Sequence, residues 1–168
     1  MRWFYLISVW LHVLAAAIWV GGMVFVALVV VPVIQRKELE GAGARLIHLT
    51  GIRFRWVGWA CFVLLLLTGL VNILARGFAW ADLFAAQFWT GPFGRLLALK
   101  LFVFALILAA SAVHDFVVGP RAVAIWQERP GSAEATRLRR QATRFGRLNL
   151  LLALLIVALG VMLVRGGP

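Results

Sequence analysis

Acidic residues are scarce: six Asp and Glu stand against seventeen Lys and Arg, and charged residues of both signs make up only 14% of the 168 positions. So few charges beside a 64% hydrophobic content lie outside the range of water-soluble domains. A soluble globular fold is thereby excluded, and lipid must be the solvent for most of the chain. Cysteine is almost missing too. Cys61 stands alone within an apolar run, which rules out an intrachain disulfide or a thiolate metal cluster and leaves the redox compartment unread. The net charge of +11 invites a nucleic-acid reading. The basic residues fall between apolar runs of membrane-spanning length, however, where positive-inside topology accounts for them, so no nucleic-acid partner is expected.

Crossing the hydrocarbon core takes about 20 apolar residues. Four stretches qualify, at 3–34, 56–75, 96–118 and 148–164, and no periodic repeat relates them. They predict an all-α, single-domain integral membrane four-helix bundle. The first run exceeds the requirement, so it should tilt or project before Pro32 and Gln35-Arg36-Lys37-Glu38 end it. Ala15-Ala16-Ala17 resembles a signal-peptide cleavage site, but the apolar run continues unbroken to Ile34, which disfavours cleavage.

Residues 35–55 and 119–147 hold twelve of the seventeen basic residues, so both segments are expected to be cytoplasmic loops. That places the amino and carboxyl termini outside and the chain in a bacterial-type cytoplasmic (inner) membrane. Arg2, Arg76, Arg95 and Arg165 then stand at the outer helix ends, where their side chains can snorkel to the headgroups. The outer connection from Gly77 to Gly94 is aromatic and interrupted by Gly91-Pro92. Trp80, Phe84, Gln87 and Phe88 at helical spacing predict a short helix in the interface, either an aromatic anchor or a lid over an outer site.

Polar residues inside a span should face the bundle, and each span carries one such seam. The first reads Ser8, His12, Ala15, Trp19, Gly22; the second Gly58, Cys61, Leu65, Thr68, Asn72; the third Lys100, Phe104, Ile107, Ser111, His114; the fourth Asn149, Ala153, Ile156, Gly160. Small and polar residues at steps of three and four suit close helix packing. Counting inward from the membrane edges separates two layers. His12, Thr68, Asn72 and Lys100 fall in the outer half, whereas His114, Asp115, Asn149, Arg53, Arg55, Arg144 and Arg147 fall near the cytoplasmic edge. By helical rise, His12 and His114 differ in depth by about 15 Å, too far to be opposite axial ligands of one haem.

His12 is a candidate metal or haem ligand, a proton relay, or a simple interhelical hydrogen bonder. An ammonium inside a span is costly unless it pairs or snorkels, which makes Lys100 either a functional cation or a snorkelling one. His114-Asp115 could form a carboxylate-oriented imidazole. Successive helical residues point about 100° apart, so pairing of Asp115 with a cytoplasmic arginine is an equal expectation. His48 is expected to be solvated in the basic loop, and Gly21-Gly22 to mark close helix packing.

Trp10-Leu11-His12-Val13 followed by Ile18-Trp19-Val20-Gly21-Gly22, Thr68-Gly69-Leu70, and Phe93-Gly94-Arg95-Leu96-Leu97-Ala98-Leu99-Lys100-Leu101 resemble the copper resistance D (CopD) membrane family over nearly the whole chain. The resemblance implies copper uptake, export or tolerance in the cytoplasmic membrane, beside a periplasmic copper-binding partner. His12, Lys100 and His114 would be the cofactor-binding residues, with His12 and His114 the metal-facing ones. The same three residues are also similar to landmarks of the HemJ-type protoporphyrinogen oxidases, which implies haem b or another tetrapyrrole with His12 as an axial ligand. A third reading is a membrane scaffold without chemistry. Soft sulfur donors favour Cu(I), yet the chain offers only Met1, Met23, Met162 and Cys61.

The charge asymmetry sets a first test: periplasmic reporter enzymes fused at Gly41 or Ser132 should be inactive, and activity at either site would reverse the orientation.

Overall fold

In a hydrocarbon medium the backbone must satisfy its own hydrogen bonds within each segment, which leaves the α-helix as the only way for these apolar runs to cross. A computed structural model describes residues 2–36, 39, 42–129 and 131–165. Lys37, Glu38 and Gly41 of the first basic connection, with Met1 and 166–168 at the ends, lie outside them. Among the described residues there are four helices long and apolar enough to span a bilayer. They are α1 (Arg2–Ile34), α2 (Gly43–Leu74), α4 (Pro92–Glu128) and α5 (Ala133–Arg165). The short α3 (Ala86–Thr90) lies between α2 and α4. The main pairings are α1 with α2 and α4 with α5, two hairpins laid side by side. An even number of crossings brings Arg2 and Arg165 to one end, the terminal end, and the arginine-rich connections to the other.

The two basic stretches expected as loops are mostly helix. α2 starts at Gly43, α4 runs on to Glu128 and α5 begins at Ala133. Hydropathy marks where lipid ends, not where helix ends, and Arg, Ala and Leu are good helix formers, so the helices continue past the apolar runs. These extensions also pack on one another. Ala122 and Ala135 are buried, the Arg139 guanidinium sits 4.1 Å from the centre of the Trp126 ring, and Ser132 Oγ accepts the Ala135 N–H at 3.1 Å as an N-cap. His48 accordingly lies half-buried in the second turn of α2, not in a loop.

Pro32 and Pro120 both stand inside helices, where each lacks an N–H and its ring crowds the carbonyl four residues back. Both conflicts are relieved in the same way. A π-helical turn covers Val26–Val30 before Pro32, with Val31 N–H bonded to Val26 O, and another covers His114–Val118 before Pro120, with Gly119 N–H bonded to His114 O.

The seams are buried as expected. Ser8, Ala15 and Trp19 of α1, Gly58, Cys61 and Thr68 of α2, Phe104, Ile107 and Ser111 of α4, and Asn149 and Ala153 of α5 are all buried, while large apolar residues such as Leu28, Phe102 and Leu151 are exposed. At the centre, Phe62 packs edge-on against Trp19, Trp59 and Phe104, at 5.0, 5.5 and 5.8 Å between ring centres. Gly22 meets the ring of Phe54 on α2, the close approach expected of it, but Gly21 faces open space.

The connection at the terminal end does carry a short helix, but not one spanning Trp80 to Phe88. Asp82 Oδ2 accepts the Ala79 N–H at 2.7 Å and a 3-10 turn covers Asp82–Phe84. Extended Ala85 then separates that turn from α3, so Trp80 and Phe84 share no face with Gln87 and Phe88. Phe78, Phe88, Trp89 and Phe93 instead pack together, and Trp89 Nε1 donates to Leu83 O at 3.0 Å. This cluster rests on α4 at Gly94, where a Cβ would run into the Phe88 carbonyl and the Trp89 backbone.

Gly94→Ala should therefore cost about 1–3 kcal/mol, the usual range for overpacking, and lower the melting temperature in detergent, while Gly21→Ala should leave it unchanged. Equal melting of the two variants would show that α3 is not seated on α4.

Candidate functional site

Thr68 occupies the helical step where α2 faces His12 of α1, and its hydroxyl is shared between two neighbours. Thr68 Oγ1 lies 2.6 Å from the Leu64 carbonyl and 2.8 Å from His12 Nδ1. Two oxygens at 2.6 Å need a proton between them, and a threonine hydroxyl has only one. That proton goes to Leu64 O, so His12 must donate Nδ1–H to Thr68. In a neutral imidazole this donation selects the Nδ1–H tautomer and leaves the lone pair on Nε2, for which no side-chain hydrogen bond is found among the described residues. Gly69 lies against the same ring, where a Cβ would sit in ordinary contact 3.5 Å from His12 Cε1. Ser8 Oγ donates to Thr68 O at 3.3 Å and ties the same two helices one turn nearer the amino terminus of α1.

Lys100 lies at the terminal end of α4, half-buried. Its Nζ rests 3.5 Å from where a Cβ of Gly160 would be, so the side chain crosses to α5 instead of turning out to lipid. Asn72, one turn beyond Thr68 on α2, has a buried Oδ1 without a hydrogen-bond partner. Arg76 covers this end: Nη1 donates to Leu163 O at 3.4 Å, and the guanidinium lies 5.5 Å from the centre of the Phe93 ring.

His114 belongs to a different layer. Its Nδ1 is 3.1 Å from Asp115 Oδ1, and Asp115 Oδ2 accepts the Trp59 indole N–H at 3.1 Å. The expectation that Asp115 pairs with an arginine fails. The π turn beginning at His114 narrows the angle between successive side chains and lets neighbours meet, and Trp59 takes the remaining oxygen. Arg55, one turn away on α2, lies over the Phe116 ring at 5.2 Å, with its Nε buried and unpartnered. Deeper in the same half, Asn149 Nδ2 donates to Ser111 Oγ at 3.0 Å.

Along α2 the contact of the first layer is Thr68 and that of the second is Trp59, a separation of about 13 Å by helical rise. The aromatic cluster of Trp19, Phe62 and Phe104 fills the space between. The structure thus brings His12 and Lys100 into one half and keeps His114 out of it. Among the described residues no three His, Cys, Asp or Glu side chains gather as a metal-binding group. Cys61 is buried in the apolar core, and Met23 packs against it. Trp59 was missed as a functional neighbour in the sequence, although an indole N–H inside a span must find an acceptor.

The family model for "Copper resistance protein D" matches residues 48–163, a segment that contains Lys100 and His114 but not His12. A protein of Aquifex aeolicus (strain VF5) named "Uncharacterized protein" is 33% identical over 157 residues, covering 93% of this chain and 92% of its own. No solved structure matches the chain.

The Thr68 relay is open to direct test. Nitrogen-15 NMR of labelled histidine should show His12 as the single Nδ1–H tautomer, and Thr68→Val should release it to a mixture with Nε2–H. An Nε2–H wild type would refute the assignment.

Proposed function

The chain belongs to the copper resistance protein D family, and from that premise we propose that it handles copper as cargo, with His12 as the imidazole that copper meets on the outer side of the cytoplasmic membrane and His114 as a separate inner contact. The observation that supports this most is the hydrogen bond between His12 Nδ1 and Thr68 Oγ1. A metal-binding imidazole needs one nitrogen anchored by a hydrogen bond and the other free, and the anchor orients the ring and raises its basicity. The Nδ1–H bond to Thr68, relayed to Leu64 O, leaves Nε2 in that condition.

The donor chemistry fits transient handling, not storage. Among the described residues no group of three His, Cys, Asp or Glu side chains forms, and so incomplete a ligand set suits weak, rapidly exchanging binding. Further ligands would come with the copper, for which a periplasmic copper-binding partner is the natural source. A Lys100 ammonium in the same half of the bundle as His12 opposes a bare cation and favours copper that arrives with anionic ligands. With twelve of the seventeen basic residues toward the opposite end, the positive-inside rule puts the terminal end and His12 outside. His114, oriented by Asp115, then stands toward the cytoplasm, beyond the aromatic cluster.

Cells expressing the protein in a copper-sensitive bacterial host supply the test. His12→Ala should reduce, without abolishing, the protein-dependent change in copper content or tolerance at equal membrane level. Adding Lys100→Met to it should have no further effect, because the two residues act on one site, whereas His114→Ala should add to either. Unchanged copper handling in His12→Ala removes this reading.

A further inference from the structure

At the arginine-rich end, the extension of α5 turns one face toward the end of α1 and borders an open cleft of about 320 Å³, with Arg140, Arg144 and Arg147 exposed along it. Arg139, Arg140, Arg144 and Arg147 line it, with Thr143 on the same helix and Gln35 at the end of α1. The spacing of Arg140, Thr143, Arg144 and Arg147 by threes and fours puts them on one side of a helix. Among the described residues no acidic side chain lines the cleft, and the ion pairs these residues form, Arg129 with Glu134 and His114 with Asp115, involve none of its four guanidinium groups.

Four like charges held around one cavity repel one another unless an anion joins them. Part of the arrangement is also held in advance. Arg139 lies over the Trp126 ring, 4.1 Å from its centre, which restrains its guanidinium, and the Thr143 hydroxyl is already engaged with Arg139 O at 2.9 Å, which leaves the guanidinium groups as the donors of the site. Phosphate oxygens match the guanidinium fork in two-bond geometry. We propose that this cleft binds a phosphate-bearing anion. Arg147 directly precedes Leu148, where the apolar run of α5 begins, so the cleft lies at headgroup depth and the phosphodiester of an anionic phospholipid is the source its position favours. This site is independent of the copper reading, since no residue is shared with His12, Lys100 or His114.

Native mass spectrometry of the full chain in detergent, with short-chain phosphatidylglycerol or phosphatidylcholine added, tests the proposal. Phosphatidylglycerol should bind at least tenfold more tightly than phosphatidylcholine, and Arg140→Gln with Arg144→Gln should remove that preference. The charge-matched pair Arg121→Gln with Arg137→Gln, outside the cleft, should retain it. Calorimetry with inorganic phosphate separates the sources: weak or no binding is the result expected for a lipid site, and tight binding that displaces the lipid would support the anion site with free phosphate as its ligand. No preference for phosphatidylglycerol together with no phosphate binding, or an equal loss in both double variants, overturns the proposal. Melting temperatures of the two double variants within a few degrees of wild type show that the comparison is between folded proteins.

Discussion

The hydrogen bond from His12 to Thr68 is the point at which the medium, the packing and the chemistry of this bundle meet. Lipid offers a polar side chain no partner, so an imidazole on α1 and a hydroxyl on α2 must find each other if both are to lie inside. Their pairing sets the rotation of α1 against α2. The same rotation turns Ser8 to the Thr68 carbonyl and brings Ala15 and Trp19 into the core. The second hairpin has a counterpart in the bond from Asn149 to Ser111, which sets α5 against α4. Such bonds average well under 2 kcal/mol in membranes. Their main contribution is to choose one register among many that apolar packing alone would allow.

Between these polar contacts the bundle is closed by rings. Phe62 on α2 reaches Trp19, Trp59 and Phe104, and Ile107 and Ala153 beside it have no exposed surface. A polar group on one side of this cluster has no hydrogen-bonded route to the other. The His12 layer and the Asp115 layer are therefore separated by packed rings, and under the proposed copper reading passage between them would require the rings to rearrange.

Much of this was legible in the sequence because lipid simplifies the code. When the exterior is uniformly apolar, every small or polar residue in a span carries information, and the seams read at steps of three and four are the ones found buried. Helix ends were less legible. Hydropathy falls to zero signal at the membrane edge, so the helical turns of α2, α4 and α5 beyond it were read as loops. The contact of His114 with Asp115 was hidden for another reason. Regular helical geometry separates adjacent side chains, and the π turn that brings them together follows from Pro120, six positions on. The break at Ala85 likewise depends on the Asp82 cap, which a stripe of aromatic residues does not reveal.

The two proline devices make the hairpins comparable where the sequence shows no repeat. Each entering helix, α1 and α4, carries a π turn that starts six residues before its proline and ends on the arginine-rich side. Measured from that proline, His12 of α1 and Lys100 of α4 stand at the same position. The two hairpins therefore offer equivalent places at the terminal end and fill them differently. One carries an imidazole held by a hydroxyl on its partner helix; the other carries an ammonium laid against a glycine on its partner. A lone pair and a cation in matched positions give this end a polarity that two identical hairpins would lack: a ligand there meets a donor atom from α1 and a positive charge from α4. The proposed cargo, copper arriving with anionic ligands, would suit both, the metal with the imidazole and the anion with the ammonium.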